Sequence, residues 1–219
     1  MLRIDFFLNH FAGDKITMIE RICASITETM YEAGIIDLKT KNIYIYCLDQ
    51  LLSQVIFVVI ILLFGIIRSE PVVSLIYLIC TMTLRTFGGG AHAPSKKLCI
   101  LFSYGISIIT IILSPLLYKF ISIMPSTLIY IICSLIIWYL SPISHKNKPL
   151  SDSKKIRLHH KCGISFIFIT VFVLLCLITN HKKYLVTITL SVIIVCISSI
   201  IGYIQNIREQ AHDSKDRYM

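Results

Sequence analysis

The sequence predicts an all-α, polytopic integral membrane protein with six transmembrane helices. Of its 219 residues, 56% are hydrophobic and 15% are charged, and the mean hydropathy is +0.78. Soluble domains are about 45–50% apolar and about 25% charged. The apolar residues come in blocks of about 18 to 25, the length at which a helix crosses a hydrocarbon core of about 30 Å.

The chain begins with a polar region, residues 1–42, that we expect to stay outside the bilayer. An apolar stripe in it recurs at spacings of three and four residues, as on one face of a helix, through Ile16, Ile19, Cys23, Ile26 and Met30. Gly34 is the predicted stop of this amphipathic helix. The helix either lies on the membrane surface, packs against a partner helix, or caps the bundle of its own chain.

Six apolar spans make up residues 43–204, and a polar tail follows at 205–219. The spans are predicted at 43–67, 71–84, 99–118, 120–143, 163–180 and 184–204. The first has no short basic segment before it and no cleavage site after it, so we do not expect a removable signal. The second has only fourteen residues, too few to cross the core. Either it continues through "RTFGGGAHA", or the chain is broken or re-entrant there.

Positive charge orients these spans. With the N-terminus in the cytoplasm, 17 of the 21 Lys and Arg residues lie on the cytoplasmic side. The positive-inside rule therefore places both termini, the 85–98 segment and the 144–162 loop in the cytoplasm. The same rule accounts for the net charge of +9, so we expect no nucleic-acid partner.

The eight cysteines are scattered singly, without a C-x-x-C pair. That spacing fits neither a disulfide framework nor a zinc finger, and we expect neither a metal nor a cofactor. "HHKC", at His159–Cys162, resembles part of a palmitoyl-transferase tetrad, but its loop contains no second cysteine.

The segment "RTFGGGAHAPSKKLC", residues 85–99, contains the candidate catalytic residues. A nucleophilic cysteine needs a base within hydrogen-bond reach, and His92 precedes Cys99 by seven positions. On one continuous helix the two would stand about 10.5 Å apart along the axis, too far for a hydrogen bond. Pro94 favours a break that folds the histidine back. If Cys99 begins a helix, the dipole and the nearby lysines, Lys96 and Lys97, favour its thiolate.

Three further features accompany this pair. Gly88, Gly89 and Gly90 allow close backbone approach and leave N–H groups for a substrate carbonyl. Arg85 is suited to holding a carboxylate. Asp49, the one acid well inside a span, is a candidate third catalytic group that orients His92, or else a residue near the membrane surface. From the residues alone, a thiol catalyst and an ordinary tight turn both remain open.

The pattern R-x-x-G-G-G-x-H-A-x-x-x-x-x-C, from Arg85 to Cys99, resembles the signature of the AgrB family of membrane endopeptidases in Gram-positive quorum sensing. "SPISHKNKPL", residues 141–150, resembles the family's proline-flanked segment after the fourth span, with Pro142, Lys148 and Pro149 in place. The family's aspartate near Ser144 is missing here, which puts any contact made by that acid in doubt.

The resemblance implies that Cys99 is the nucleophile and His92 its base, and that Arg85 and Gly90 are needed for activity. It implies an AgrD-type propeptide as substrate, whose acidic tail is cleaved through a thioester before the signal peptide closes into a thiolactone or lactone. It also implies a homodimer in the bacterial cell membrane.

Two alternatives remain open beside this resemblance. The basic 144–162 loop either binds the acidic tail or only anchors the topology. A non-catalytic transporter or scaffold is the other functional class, because six spans with a re-entrant glycine segment suit a transport path. Against it, the sequence has no internal repeat and few intramembrane polar residues.

Overall fold

The structure of the chain is a computed structural model that describes residues 18–91, 95–142 and 152–216. This part is helical and has no strand, which confirms the predicted all-α class. Its seven helices, in chain order, are α1 (Met18–Glu32), α2 (Leu38–Ile67), α3 (Pro71–Gly88), α4 (Lys96–Leu117), α5 (Ile123–Leu140), α6 (Asp152–Ile178) and α7 (Lys182–Asp216).

Helices α2 to α7 are long and apolar enough to cross a membrane, so the six predicted spans are confirmed within the described residues. The chain is a multi-pass membrane protein. Three helices extend well past the predicted limits: α2 starts at Leu38 rather than residue 43, α6 starts at Asp152 rather than residue 163, and α7 continues to Asp216 rather than ending at 204. A helix needs only its own backbone hydrogen bonds to continue, so an apolar block marks the span and not the ends of the helix.

Helix α3 accounts for the second span, which looked too short in the sequence. It has 18 residues, from Pro71 to Gly88, and is therefore about 27 Å long at 1.5 Å per residue. Arg85 lies in its last turn, so the helix passes through the first charged residue instead of stopping before it. The span therefore continues into "RTFGGGAHA", the first of the two predicted alternatives, as far as Gly88, where the helix ends.

Two compact units divide the chain, residues 1–60 and 61–219. In the first, α1 ends at Glu32, and Gly34, the predicted stop, follows two residues later with a φ of 70°. The Ile35 N–H donates to the Met30 carbonyl oxygen at 3.0 Å, which closes the helix end. An ion pair between Lys41 and Glu28 connects α1 with the start of α2. On α1 itself, Cys23 is buried, whereas Ile26 of the predicted stripe is 42% exposed; Ile16 lies outside the described residues.

The second unit is organised around α7, which packs against α3, α4, α5 and α6. Over its apolar span, 61% of α7 is buried, compared with 17% of α5. The α7 core positions are spaced three, four and three residues apart, and each is at most 1% exposed: Leu185, Ile188, Val192 and Val195. The last helix is therefore the rigid centre of this unit.

Polar side chains in this unit form hydrogen bonds between helices. The hydroxyls of Tyr77 and Ser107 lie 2.9 Å apart, and those of Tyr130 and Thr170 lie 2.7 Å apart. Where α7 begins, the Lys183 ammonium donates to the Glu70 carboxylate at 2.7 Å. The two hydroxyl pairs satisfy polar groups inside apolar spans, where lipid offers no hydrogen bonds, whereas the Lys183–Glu70 pair is partly exposed.

Candidate active site

The end of α3 provides the first part of the candidate site. Gly88 is buried, and an added Cβ would be in ordinary contact, 3.6 Å from Ile137 and 3.8 Å from Cys162 Sγ. Gly89 leaves the helix with φ 82° and ψ −167°, a conformation that side chains of L-residues rarely adopt. Its N–H donates to the Arg85 carbonyl oxygen at 3.2 Å. The backbone therefore turns sharply at Gly89, and glycine is needed there.

Gly88 to Ala91 form what we call the glycine segment. Its last two residues, Gly90 and Ala91, lie against α7. The Ala91 N–H donates to the Ser198 carbonyl oxygen at 2.9 Å and to the Ser198 hydroxyl at 3.2 Å. Gly90 is buried, and an added Cβ there would lie 2.7 Å from Ser198 Oγ. A Cβ added to Gly202 would lie 2.7 Å from the carbonyl carbon of Gly90. The segment is thus held against the central helix by its backbone.

These contacts limit which amides are available to a substrate. The N–H groups of Gly89 and Ala91 both donate within the chain. The sequence reasoning expected N–H groups of the glycine segment to face a substrate carbonyl, and in this conformation those two amides do not supply them.

Cys99 lies in the first turn of α4. Ser95 caps this helix: its side chain accepts from the Leu98 N–H at 3.3 Å, and its carbonyl oxygen accepts from the Cys99 N–H at 3.1 Å. The thiol is partly exposed. The predicted placement at a helix N-terminus is therefore what the structure has, and such a position stabilises negative charge.

Arg85 is exposed, and its Nε lies 3.8 Å from where a Cβ on Gly90 would be. The guanidinium is therefore beside the glycine segment and open to a ligand. His92, the predicted base, lies outside the described residues, as does Pro94. The structure thus brings Arg85 and the three glycines together at the end of α3 and places Cys99 at the start of α4, and the pairing of His92 with Cys99 stays a prediction.

The "HHKC" motif packs beside this segment. His159 Nδ1–H donates to the Ser141 carbonyl oxygen at 3.0 Å, and its ring lies on Trp138 with centroids 4.2 Å apart. Cys162 is fully buried close to Gly88, and the Lys161 ammonium lies 5.7 Å from the Phe87 ring centroid. These residues connect the beginning of α6 to the ends of α3 and α5.

Asp49 lies in α2, in the first unit, and is only 5% exposed. Its suggested action on His92 stays a prediction. The basic segment 144–162, predicted as a loop, is described from Asp152 onward; there it is helical and forms the start of α6, and Lys154, Lys155 and Arg157 are exposed. Ser144, Lys148 and Pro149 lie outside the described residues.

Sequence reasoning missed Ser198 and Gly202. The available signal was a small-x-x-x-small spacing in the last span, a pattern that allows close approach between backbones in membranes. The spacing alone does not tell which segment of the chain approaches.

Comparison with known proteins places this architecture in a family. The model of accessory gene regulator B (AgrB) matches residues 19–199. A putative AgrB-like protein of Clostridium perfringens strain SM101 is 27% identical over 210 residues, which are 90% of this chain and 97% of that protein. The putative AgrB-like protein 2 of C. perfringens strain 13 is 27% identical over 161 residues, 71% of this chain and 75% of that protein. No solved structure matches the chain significantly. The chain belongs to the accessory gene regulator B family.

Proposed function

We propose that the chain is a membrane-embedded cysteine endopeptidase and cyclase. Its substrate is an AgrD-type propeptide with an acidic C-terminal tail, and its product is a thiolactone or lactone autoinducing peptide for quorum sensing. Family membership supports a role in autoinducer processing, and the residues of the Arg85–Cys99 segment carry the chemistry.

The observation that carries this proposal is the position of Cys99. The partly exposed thiol lies in the first turn of α4, nine positions along the chain after Gly90 of the glycine segment that is held against α7. A helix N-terminus favours the thiolate, which is the reactive form of cysteine. Cys162 also lies close to this segment, beside Gly88, but it is fully buried, whereas the Cys99 thiol is partly exposed.

In the first step, the Cys99 sulfur attacks the carbonyl carbon of the peptide bond before the acidic tail. His92 takes the thiol proton and returns it to the amine of the departing tail. A thioester joins Cys99 to the remaining propeptide. Arg85, exposed beside Gly90, is positioned to hold a carboxylate of the substrate.

In the second step, a cysteine or serine of the propeptide gives its proton to His92, attacks the thioester carbonyl and expels the Cys99 sulfur as thiolate, which can take the proton back. The bond to Cys99 breaks as the ring bond forms, so the ring closes without ATP. Thioester exchange is close to balanced in energy, and exclusion of water favours ring closure over hydrolysis.

The same proposal places the enzyme in the bacterial cell membrane as a homodimer, with both termini in the cytoplasm. The propeptide then reaches the site from the side on which it is made.

Replacing the nucleophile tests this function. We expect Cys99→Ser to abolish release of the tail from a co-expressed, C-terminally tagged AgrD-type propeptide, because a hydroxyl is a far weaker nucleophile than a thiolate at neutral pH. Immunoblots of cell lysates measure the released tail. With a propeptide whose own ring cysteine or serine is replaced by alanine, the wild-type enzyme should accumulate an adduct that hydroxylamine removes.

The matched control is Cys47→Ser, which replaces an exposed cysteine of α2. It should retain cleavage. A non-catalytic transporter or scaffold would be indifferent to both substitutions, so full cleavage with a correctly inserted Cys99→Ser protein refutes the endopeptidase.

A further inference from the structure

Two small residues of α7, Ser198 and Gly202, form a platform for the glycine segment. They are four residues apart and so lie on the same face of the helix. In an α-helix the carbonyl of Ser198 already accepts from the N–H of Gly202. It accepts a second hydrogen bond here, from the Ala91 N–H at 2.9 Å. A side chain at 202 would cover that carbonyl, so the glycine leaves it open to a second donor.

The approach of the two backbones is too close for any side chain. A Cβ on Gly202 would lie 2.7 Å from the Gly90 carbonyl carbon, 2.8 Å from its oxygen and 2.9 Å from the Ala91 nitrogen. All three are backbone atoms, which cannot rotate away as a flexible side chain can. Position 202 therefore needs glycine, whereas a Cβ at position 90 would come too close only to the Ser198 hydroxyl, which can rotate.

We propose that Ser198 and Gly202 are positioning residues for catalysis, acting through the Gly90–Ala91 backbone on His92. Ala91 immediately precedes the base, and its amide is fixed to the most deeply buried helix of the bundle. Ser198 and Gly202 thereby fix the position of the backbone from which the chain continues to His92. This inference rests on the proposed function, and it assigns a catalytic task to the last span.

The rigidity of α7 supports this assignment. Val195 and Ser199, on either side of Ser198, are at most 1% exposed, so the helix has little freedom to move beneath the segment. A catalytic group performs best when a rigid element holds it, and displacement by about 1 Å costs about 100-fold in rate.

Gly202→Ala is the direct test. The added methyl group must displace Gly90 and Ala91, so we expect kcat for propeptide cleavage to fall by about 100-fold with KM little changed. Gly105→Ala is the matched control, because a Cβ there has no atom within 4 Å among the described residues. It should cleave at the wild-type rate.

A second pair of variants covers the case in which Gly202→Ala fails to insert. Ser198→Ala removes one of the two acceptors of the Ala91 amide and should reduce kcat by about two- to tenfold. Ser199→Ala removes a neighbouring hydroxyl that has no hydrogen-bond partner among the described residues, and should leave kcat unchanged.

Hydrogen exchange of the Ala91 amide separates the two proposals, because it needs no activity. The amide should exchange slowly in the wild type and in Gly105→Ala, and faster in Gly202→Ala and Ser198→Ala. Faster exchange with unchanged kcat, or unchanged exchange and kcat in inserted variants, overturns the positioning role. Absence of cleavage by the wild-type enzyme would overturn the proposed function and the catalytic part of this inference. Slow exchange of the Ala91 amide in that enzyme would then show that Ser198 and Gly202 have only a structural role.

Discussion

Each of the three adjacent glycines at the end of α3 meets a different physical requirement. Gly88 is helical and has room for a methyl group. Gly89 has φ 82°, which excludes most side chains. Gly90 faces Ser198 Oγ at 2.7 Å from an added Cβ, so a methyl group there must push the hydroxyl away from the Ala91 amide. Identical residues in a row therefore differ in how well they tolerate alanine.

Single alanine substitutions should rank these three positions. Gly89→Ala should cost about 1–3 kcal/mol of local backbone strain and reduce cleavage most. Gly90→Ala should be intermediate, since a serine hydroxyl can rotate at the cost of one hydrogen bond. Gly88→Ala should stay close to wild type, since alanine favours helix more than glycine does. Cleavage rates, normalised to enzyme in the membrane fraction, measure the order, and a Gly88→Ala loss equal to that of Gly89→Ala contradicts it.

At this scale the sequence predicted the type of residue better than its contacts. Cys99 was expected at a helix start because charge gives way to apolar residues there, and α4 begins at Lys96. The hydrogen bonds from Ala91 to Ser198 join residues 107 positions apart. No local pattern encodes a contact over such a distance, so the role of α7 at the site became apparent only from the fold.

Among the elements, α6 is the helix that combines a basic end with a buried body. Lys154, Lys155 and Arg157 are exposed, whereas Cys162 and Ser165 are buried. Cys162 lies near Gly88, so the exposed turn with Lys154, Lys155 and Arg157, here called the basic turn, lies at the same end of the bundle as the glycine segment. The arrangement favours the hypothesis that the basic turn binds the acidic tail of the propeptide.

Neutralising that turn tests the hypothesis. Lys154→Gln, Lys155→Gln and Arg157→Gln together should raise KM for the propeptide several-fold with kcat little changed, because they remove long-range attraction and not the catalytic groups. The effect should shrink at high salt, where exposed charges are screened. Lys119→Gln with Lys182→Gln, at the ends of α4 and α7 far along the chain from the glycine segment, is the control. Equal losses in both sets would mean that the charges serve only insertion.

The number of helical elements was predictable, and their extents were not. Hydropathy detects the stretch that suits lipid, so all six spans were found. It cannot detect where a helix stops, and α3 therefore continued through Arg85 to Gly88. The stop at Gly89 depends on a positive φ, and three adjacent glycines do not show which of them adopts it.

For the molecule as a whole, the strongest regularity is the placement of charge. The segments 1–42, 85–98, 144–162 and the tail carry 17 of the 21 Lys and Arg residues. Of the four Lys and Arg residues at the other ends of the helices, Lys183 donates a hydrogen bond to the Glu70 carboxylate. The candidate site belongs to the positively charged set of segments, so the orientation of the whole chain decides whether the site faces the compartment in which a propeptide is made.

Reporter fusions measure that orientation. Alkaline phosphatase is active only outside the cytoplasm, so fusions after Lys119 and after His181 should be active, and fusions after Ser95 and after Met219 should be inactive. The physical reason is the positive-inside rule, by which Lys and Arg in short loops hold those loops in the cytoplasm. Green fluorescent protein at the same four junctions should give the opposite pattern. Phosphatase activity after both Ser95 and Met219 would place the thiol on the outer side, away from newly made propeptide, and would contradict both the topology and the proposed route of the substrate.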